Sequence, residues 1–288
     1  MILLWRFADM QLSICTISFR HQLMSLEHLA QWARSHDFQG IELWGVHAIS
    51  LESQPQYDAQ WLKEMGLSIS MLSDYLPLVG DPIVSQQKCA HICKLANYWN
   101  TNKVRTFAGH QASDKVNKND REKLVTRLRH ICEYAHQQGL NVLVETHPNT
   151  LADTTESILQ LLDEVYHPAL KINFDSLHVW ESGADINYFH HQISDFVDHY
   201  HLKNIASREY LNVFTPDNVY SPAGSREGMT PLFEGALDYQ HFIDGLSQNK
   251  NATASLEWFG NNVKQTLVND KKALDKFSKN TKQAELLF

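Results

Sequence analysis

Eight short apolar runs, separated by longer segments with apolar residues at helical spacing, constrain the fold of this 288-residue chain most strongly. The short runs are rich in residues that favour β-strands, and such alternation is typical of α/β proteins with a parallel sheet. The predicted strands are residues 12–18, 40–43, 67–73, 103–107, 141–145, 170–175, 200–203 and 254–258.

The segments between these runs carry helical patterns with readable ends. Gly139 follows one of them as a C-terminal stop, and Asp153 offers an N-cap to the next. Predicted helices cover residues 25–36, 85–99, 120–138, 154–165, 239–246 and 263–277, with a weaker pattern within 186–197. Eight β/α units in series predict a (β/α)8 TIM barrel, for which this length is usual, and a doubly wound open sheet is the alternative.

The chain has no linker of low complexity, so we expect a single barrel domain over residues 10–288. Residues 1–9 are expected to be an N-terminal extension, with Met10 as an alternative start of translation. The segment 205–235 is too long for an ordinary connection, and such loops are usually functional. Its aromatic residues either cover a substrate as a lid or pack the loop onto the barrel. They are Tyr210, Phe214, Tyr220 and Phe233.

Composition excludes several classes of protein. No apolar run approaches the ~18 residues that a membrane span requires. A net charge of -8 without a basic run weighs against nucleic acid as a partner. The apolar patch in residues 1–9 is too short for a signal peptide, and the four cysteines form no CxxC pair. We therefore expect a cytoplasmic protein; the sequence leaves open whether it forms a homo-oligomer.

Four successive predicted strands end in side chains that can bind a metal ion. These are Glu145, Asp175, His201 and Glu257. Each alone is better explained as a paired strand terminus, because buried charges are normally paired. Active sites of TIM barrels lie at the carboxyl ends of the strands, and three converging carboxylates would repel one another without a cation. Together the four residues predict a site for one divalent ion, with oxygen-rich ligands that suit Mn, Mg, Co or Zn.

Residues two apart on a strand point to the same side, which adds neighbours to this predicted site. His147 lies beside Glu145, Lys203 lies beside His201, and His199 shares that side at a deeper level. His178 is expected in the loop after Asp175, where it orients substrate or a metal ligand or has a structural role.

The first half of the chain contributes Glu42 at the end of strand two, Tyr75 after strand three and Arg105 near the end of strand four. An inward-facing arginine beside a metal ion is unfavourable unless an anion joins them. Arg105 therefore suggests a bidentate contact with a substrate carboxylate. The alternative is an ion pair between Arg105 and Glu42.

The strand-end ligands and the Asp-x-x-His spacing of Asp175 and His178 resemble the xylose isomerase-like superfamily of TIM barrels. Within it, the chain looks most similar to the metal-dependent 3-dehydroshikimate dehydratases of petrobactin-type siderophore synthesis. The similarity runs from about Met10 to Asp270 and is carried by residues 15–23, 40–45, 73–76, 101–103, 105–109, 145–150, 178, 180–185, 218–220, 231–235 and 255–260.

This resemblance implies a lyase that converts 3-dehydroshikimate, a small anionic cyclic substrate, into protocatechuate (3,4-dihydroxybenzoate) and water. Mn²⁺ is the first choice of metal, with Mg²⁺, Co²⁺ and Zn²⁺ as alternatives. His147 is the expected general base, because a neutral imidazole beside the ion can accept a proton near neutral pH. Arg105 and Lys203 would hold the substrate carboxylate or polarise substrate oxygens, with His178 assisting orientation. The ring would be walled by Tyr75, Phe214, Tyr220 and Phe259.

Three other functions compete with this one. A sugar isomerase or epimerase would use the same ligands, but Arg105 argues against an uncharged sugar. An endonuclease IV activity needs further metal ligands. The histidines that endonuclease IV enzymes carry at the ends of strands three and four are replaced here by the segments around Tyr75 and Arg105. A non-catalytic barrel that binds a ligand through a metal remains open. Ligand binding without turnover would favour it.

Overall fold

Eight parallel strands close into a barrel in the computed structural model, which describes residues 10–244 and 253–285. The strands are β1 Gln11–Cys15, β2 Gly40–Trp44, β3 Ser68–Ser73, β4 Lys103–Thr106, β5 Asn141–Glu145, β6 Leu170–Asp175, β7 Val197–Leu202 and β8 Thr253–Leu256. Each pairs with its sequence neighbours, and β8 pairs with β1 from Gln11 opposite Thr253 onward. The predicted TIM barrel is confirmed. The alternative prediction of an open sheet is wrong, because the pairing of β8 with β1 leaves no edge strand in this sheet.

Alternate residues of each strand face opposite sides of the barrel wall. In β7, Tyr200 and Leu202 belong to the large core between the strands and the surrounding helices. The intervening His199 and His201 both contact Glu42 inside the barrel. His199 and His201 therefore point inward, toward the site.

The helices pack around the strands and include four short ones that no sequence pattern indicated. The helices are α1 Leu26–Ser35, α2 Gly45–Leu51, α3 Ala59–Glu64, α4 Pro82–Tyr98, α5 Lys118–Gln137, α6 Thr155–Val165, α7 Ser176–Glu181, α8 Ile186–Ile193, α9 Pro216–Val219, α10 Tyr239–Asp244 and α11 Val263–Glu285. The unpredicted α2, α3, α7 and α9 have four to seven residues, too few to repeat an apolar period.

Several predicted boundaries are wrong. The first strand ends at Cys15 and continues as a 3-10 turn, Thr16–Phe19, instead of running to residue 18. The seventh strand begins at Val197, three residues before its predicted start. Its first residues, Val197, Asp198 and His199, do not alternate regularly because the register with β6 shifts at Asp198, as at a β-bulge. The predicted N-terminal extension at 1–9 and the end of the helix predicted at 239–246 lie outside the described residues.

The long segment after β7 folds over the carboxyl ends of the strands. Asn204–Ile205 pairs with Met229–Thr230 in a small antiparallel sheet, and between them lie a 3-10 segment, Arg208–Phe214, and α9. We call residues 208–228 the lid. Gly228 closes it at a φ of 81°, and a Cβ there would lie 2.2 Å from Cγ of Tyr210, so only glycine fits.

The lid packs on the barrel through a second, smaller apolar cluster. Val213, Phe214 and Val219 of the lid contact barrel residues that include Ile17 and Phe259. Farther along the chain, Phe233 packs against Tyr239 and Phe277. The aromatic residues of this segment therefore have two different positions. Phe214 and Tyr220 line a cavity, as expected of a lid over a substrate, whereas Phe233 packs the loop onto helices.

No helix in the described part of the chain combines the length and apolar character needed to cross a membrane. All four cysteines are buried free thiols, and Cys89 and Cys93 lie on α4, within the helix predicted at 85–99.

Candidate functional site

Four side chains converge at one mouth of the barrel. They are Glu145 and Asp175 at the ends of β5 and β6, His201 one residue before the end of β7, and Glu257 directly after β8. Nδ1 of His201 lies 3.5 Å from Glu145 Oε1, 3.8 Å from Asp175 Oδ2 and 3.9 Å from Glu257 Oε2. None of the four side chains exposes more than 5% of its surface. The structure thus brings together the four residues that the sequence predicted as metal ligands.

Glu42 holds His201 from below. Nε2 of His201 donates to the two carboxylate oxygens of Glu42 at 3.0 and 2.9 Å, and Glu42 also accepts from Ser73 and from His199. Because the proton of Nε2 serves Glu42, Nδ1 faces the three carboxylates with no hydrogen-bond partner among the described residues. A carboxylate behind an imidazole is the usual support of a histidine that binds a metal through its other nitrogen.

The charges around His201 favour a cation at Nδ1. Burial alone would lower the pKa of His201, but the surrounding carboxylates, Glu42 and then Glu145 and Glu257, raise that pKa well above its usual value. A position that stabilises a proton so strongly also stabilises a metal ion in its place, since metal binding to histidine competes with protonation.

The two carboxylate oxygens of Asp175 have different roles: one caps a helix and the other faces the site. Oδ1 accepts from the backbone N–H groups of Leu177 and His178 and so caps α7. Its backbone is fixed through Thr146, whose hydroxyl accepts from Asp175 N at 2.8 Å. Oδ2 is left pointing toward His201 and Lys203.

Two basic side chains lie directly among these acids. Nε of Arg105 is 3.0 Å from Glu145 Oε2, and the Lys203 ammonium contacts Asp175 and lies 2.6 Å from Glu257 Oε2. The alternative pair between Arg105 and Glu42 is therefore wrong, because the inner level is filled by the imidazoles of His199 and His201. The sequence predicted that a divalent ion would balance the converging carboxylates, and the structure shows that Arg105 and Lys203 also pair with them.

A divalent metal ion nevertheless fits this group of residues. Three carboxylates and one unpartnered imidazole nitrogen form an oxygen-rich donor set without thiolates, which suits Mn²⁺, Mg²⁺, Co²⁺ or Zn²⁺. Asp175, His201 and Glu257 each offer a ligand atom within 4.8 Å of the others. We therefore identify this mouth of the barrel as a candidate metal centre.

His147 lies beside this centre in a form that can accept a proton. Its Nδ1 is 2.8 Å from the carbonyl oxygen of Pro148, which can only accept, so Nδ1 carries the proton and Nε2 has the free lone pair. Burial, with a smaller contribution from His178, lowers the pKa of His147 to about 4, so the ring is neutral near pH 7. The ring packs 4.3 Å from Phe107 and 4.5 Å from His178, between centroids, which fixes its plane.

His178 lies on α7 and not in a loop as the sequence predicted. Its Nδ1 is 2.7 Å from Glu181 Oε2, and its Nε2 is 3.8 Å from Asp175 Oδ2. The helix places its ring against His147 on one side and Phe214 of the lid on the other.

A cavity of about 260 Å³ opens above the centre, a size that suits a small molecule. Every residue that the sequence predicted to bind substrate lines it: Tyr75, Arg105, His178, Lys203, Phe214, Tyr220 and Phe259. The cavity is also lined by residues that the sequence did not predict: Ile17, Phe107, His110, Pro216 and Val219. Phe107 directly follows β4 and His110 lies four residues after its end, so their position after a strand end was the available signal.

Arg105 lines this cavity and has unused hydrogen-bonding capacity. The residue is 3% exposed, and its guanidinium carbon lies 5.2 Å from the ring centroid of Tyr75 and 5.0 Å from that of Phe107. Nη1 is buried and makes no hydrogen bond to any described residue. A buried donor without a partner is costly, and a ligand carboxylate would satisfy it.

Replacing Glu42 by Gln is expected to weaken metal binding by about 10- to 100-fold, because the amide removes the charge that supports His201. The dissociation constant of each metal, measured by chelator competition, checks this. Glu164→Gln, which alters an acid paired with Arg121 on the outer helices, is the matched control. Unchanged metal affinity in the Glu42 variant would show that His201 needs no such support.

Comparison with known proteins supports the fold and gives the family. Residues 30–279 match the family described as xylose isomerase-like TIM barrel. A 3-dehydroshikimate dehydratase of Bacillus anthracis is 48% identical over 271 residues, which cover 92% of this chain and 96% of that protein. The crystal structure of the probable 3-DHS dehydratase AsbF from Bacillus anthracis, involved in petrobactin synthesis, superposes with a TM-score of 0.88 and 48% identity over 92% of this chain and 98% of that one.

More distant relatives share less. An inosose dehydratase of Clostridium perfringens is 27% identical over 135 residues, which cover 46% of this chain and 45% of that protein. The IolI protein with a bound zinc atom superposes with a TM-score of 0.72 at 14% identity, covering 94% of this chain and 96% of that one, and therefore supports the fold alone.

Proposed function

The chain belongs to the xylose isomerase-like TIM barrel family, and we propose that it acts as a 3-dehydroshikimate dehydratase, a lyase that removes water from this substrate. The observation that carries the proposal is 48% identity along nearly the whole length of a protein with that activity. Siderophore synthesis, in which the related AsbF protein is involved, is the corresponding role. The cavity supplies independent chemical support.

The cavity suits an anionic ring. Arg105 offers a buried, unpartnered Nη1 to a carboxylate, and Lys203 faces the same space. Aromatic side chains of Tyr75, Phe214 and Phe259 surround the remainder and would exclude water from the ring. An uncharged sugar would leave the Arg105 donor unsatisfied, which argues against an isomerase or epimerase of the same family.

The proposed reaction begins when Nε2 of His147 removes a proton from the carbon next to the substrate ketone. A divalent ion at Glu145, Asp175, His201 and Glu257 would supply positive charge that stabilises the enolate oxygen. A hydroxyl group then leaves the adjacent ring carbon and takes a proton, so that water is released. Tautomerisation of the remaining ring gives protocatechuate, and no oxidant is needed.

Among the metals that suit this donor set we propose Mn²⁺ as the first choice, with Mg²⁺, Co²⁺ and Zn²⁺ as alternatives. The buried free thiols of the four cysteines support a reducing location, and we propose the cytoplasm.

The proposed activity is tested by stripping the protein with EDTA and adding back Mn²⁺, Mg²⁺, Co²⁺ or Zn²⁺ singly. We expect protocatechuate, followed by absorbance and identified by chromatography, only after a metal is restored. Glu257→Gln, which keeps the size of a ligand but removes its charge, should need more metal for the same rate. Inosose, a ketone without a carboxylate, is the comparison substrate and should not react. No product with any metal would refute the dehydratase.

A further inference from the structure

The side chain of Arg20 joins three separate parts of the cavity wall. It lies just after the 3-10 turn that follows β1. Its Nε donates to the carbonyl oxygen of Val219 in the lid at 2.6 Å, and its Nη1 donates to that of Ile17 at 3.3 Å. Its guanidinium carbon lies 4.8 Å from the ring centroid of Phe259. Ile17, Val219 and Phe259 all line the cavity, so one side chain connects the β1 turn, the lid and the segment after β8.

The carbonyl of Val219 is held twice. Nε2 of His21 lies 3.2 Å from the same oxygen, and because a carbonyl only accepts, His21 donates this second bond. Val219 ends α9, a helix of four residues that is too short to be stable without tertiary contacts. The position of the lid at Val219 therefore depends on the hydrogen bonds that Arg20 and His21 donate to it.

Other contacts of the lid serve different ends. Arg226 donates to the carbonyls of Asn218 and Ser221 and so braces the lid internally. Arg208 anchors the opposite end of the lid to the carbonyls of Trp180 and Glu181. Beside Val219, the hydroxyls of Tyr220 and Tyr75 lie 2.7 Å apart across the cavity mouth. Arg20 is thus the charged attachment of the lid at the mouth itself.

The guanidinium of Arg20 is committed to carbonyl groups and a ring. Nη2 is buried without a hydrogen-bond partner among the described residues. Arginine in such a position contributes geometry, because its planar fork holds several acceptors at once.

We propose that Arg20 is a positioning residue that holds the lid closed over the cavity, and that substrate entry and product release require its bonds to Val219 and Ile17 to break. It acts through Val219 and Phe259 and contacts no reacting atom. This role rests on the proposed function only in the choice of substrate, since lid closure can be measured without turnover. Lids of this kind often set the rate of release in enzymes.

The test compares Arg20→Ala and Arg20→Lys with Arg129→Ala. Arg129 also donates to backbone carbonyls, those of Glu164 and Val165, but lies on α5 and does not line the cavity. The first readout is hydrogen exchange of the amides of Val219 and Tyr220, which bond to Thr215 and Pro216 within the lid. The second is the separation of KM from kcat for 3-dehydroshikimate in metal-loaded protein, with metal content measured for each variant.

In Arg20→Ala we expect exchange of these lid amides to accelerate about 10- to 100-fold, the effect of losing charge-assisted bonds of ordinary strength. KM should rise by a similar factor while kcat stays within about threefold or increases, because closure and not chemistry is weakened. Arg20→Lys should lie between, since an ammonium can reach Val219 but cannot also hold Ile17 and cover Phe259. Arg129→Ala should match the unmodified protein in both readouts.

Unchanged exchange of the lid amides in Arg20→Ala would overturn the proposal, as would a loss of kcat with KM unaltered. Should the alanine variant fail to fold, Arg20→Lys and Arg20→Gln give the same two readouts. A protein that does not convert 3-dehydroshikimate would refute the proposed function, whereas the exchange result would still decide the role of Arg20.

Discussion

Replacing His147 by Gln is expected to lower kcat for 3-dehydroshikimate by about 10²- to 10⁴-fold, the usual effect of removing a general base. Glutamine approximates the size of histidine but cannot accept a proton near neutral pH. Its side chain can still contact Phe107 and His178, which pack on the imidazole. Metal content should remain that of the unmodified protein, because His147 is not among the proposed ligands.

The measurement is kcat together with metal content by elemental analysis. His110→Gln is the matched control, because His110 also lines the cavity but is exposed and lies at its rim. A fall of kcat in the His110 variant with full activity in the His147 variant would transfer the role of base to His110. Loss of metal from the His147 variant would mean that this ring supports the centre instead.

The barrel could be predicted because the information that specifies it is local and repeated. Each strand is a short apolar run, and each long helix repeats its apolar period often enough to be recognised. The strand ends were equally legible, since Glu145, Asp175 and Glu257 interrupt runs that are otherwise apolar. Parallel strands that close a barrel must bring their carboxyl ends to one mouth, so topology alone predicted the convergence.

Contacts between distant parts of the chain could not be predicted in the same way. Glu42 was recognised as a strand end, but only the structure shows that it reaches across the barrel to His201, 159 positions later. Arg20 gave no signal, because its partner is a carbonyl of the lid, and every residue has a carbonyl. The ion-pair partner of Arg105 could not be predicted, because it depends on which acid lies at the same level along the barrel axis. That level is set by the register between neighbouring strands, which the periodicity of apolar residues in the sequence does not reveal.

The positions of Arg105 and Lys203 change how the electrostatics of the site are understood. Each lies within ion-pair distance of a proposed metal ligand, so the basic residues and the ion would share the same carboxylates. Glu145 is the shared group for Arg105, and its pKa is lowered to about 2: burial would raise it, but the Arg105 charge and then His201 outweigh burial. The acid is therefore ionised and available to a metal at any pH in which the protein works.

Replacing Arg105 by Gln should reduce kcat/KM for 3-dehydroshikimate by roughly 30- to 5,000-fold, as expected when one partner of a buried charged contact is removed at a cost of roughly 2 to 5 kcal/mol. Most of this loss should appear in KM, because Nη1 is the unpartnered donor that we assign to the substrate carboxylate. Metal affinity should stay equal or increase, since Glu145 loses a competing cation. Steady-state kinetics and chelator competition separate the two effects.

Arg105→Lys is the informative companion variant. A lysine ammonium keeps a positive charge near Glu145 but lacks the planar fork that can hold a carboxylate in two places. If Arg105 serves the substrate, the lysine variant should retain normal metal affinity yet recover only a small part of kcat/KM. If Arg105 serves only to balance Glu145, lysine should restore activity almost fully. Normal KM with weakened metal binding in Arg105→Gln would contradict the substrate contact, because the guanidinium would then be supporting the metal centre alone.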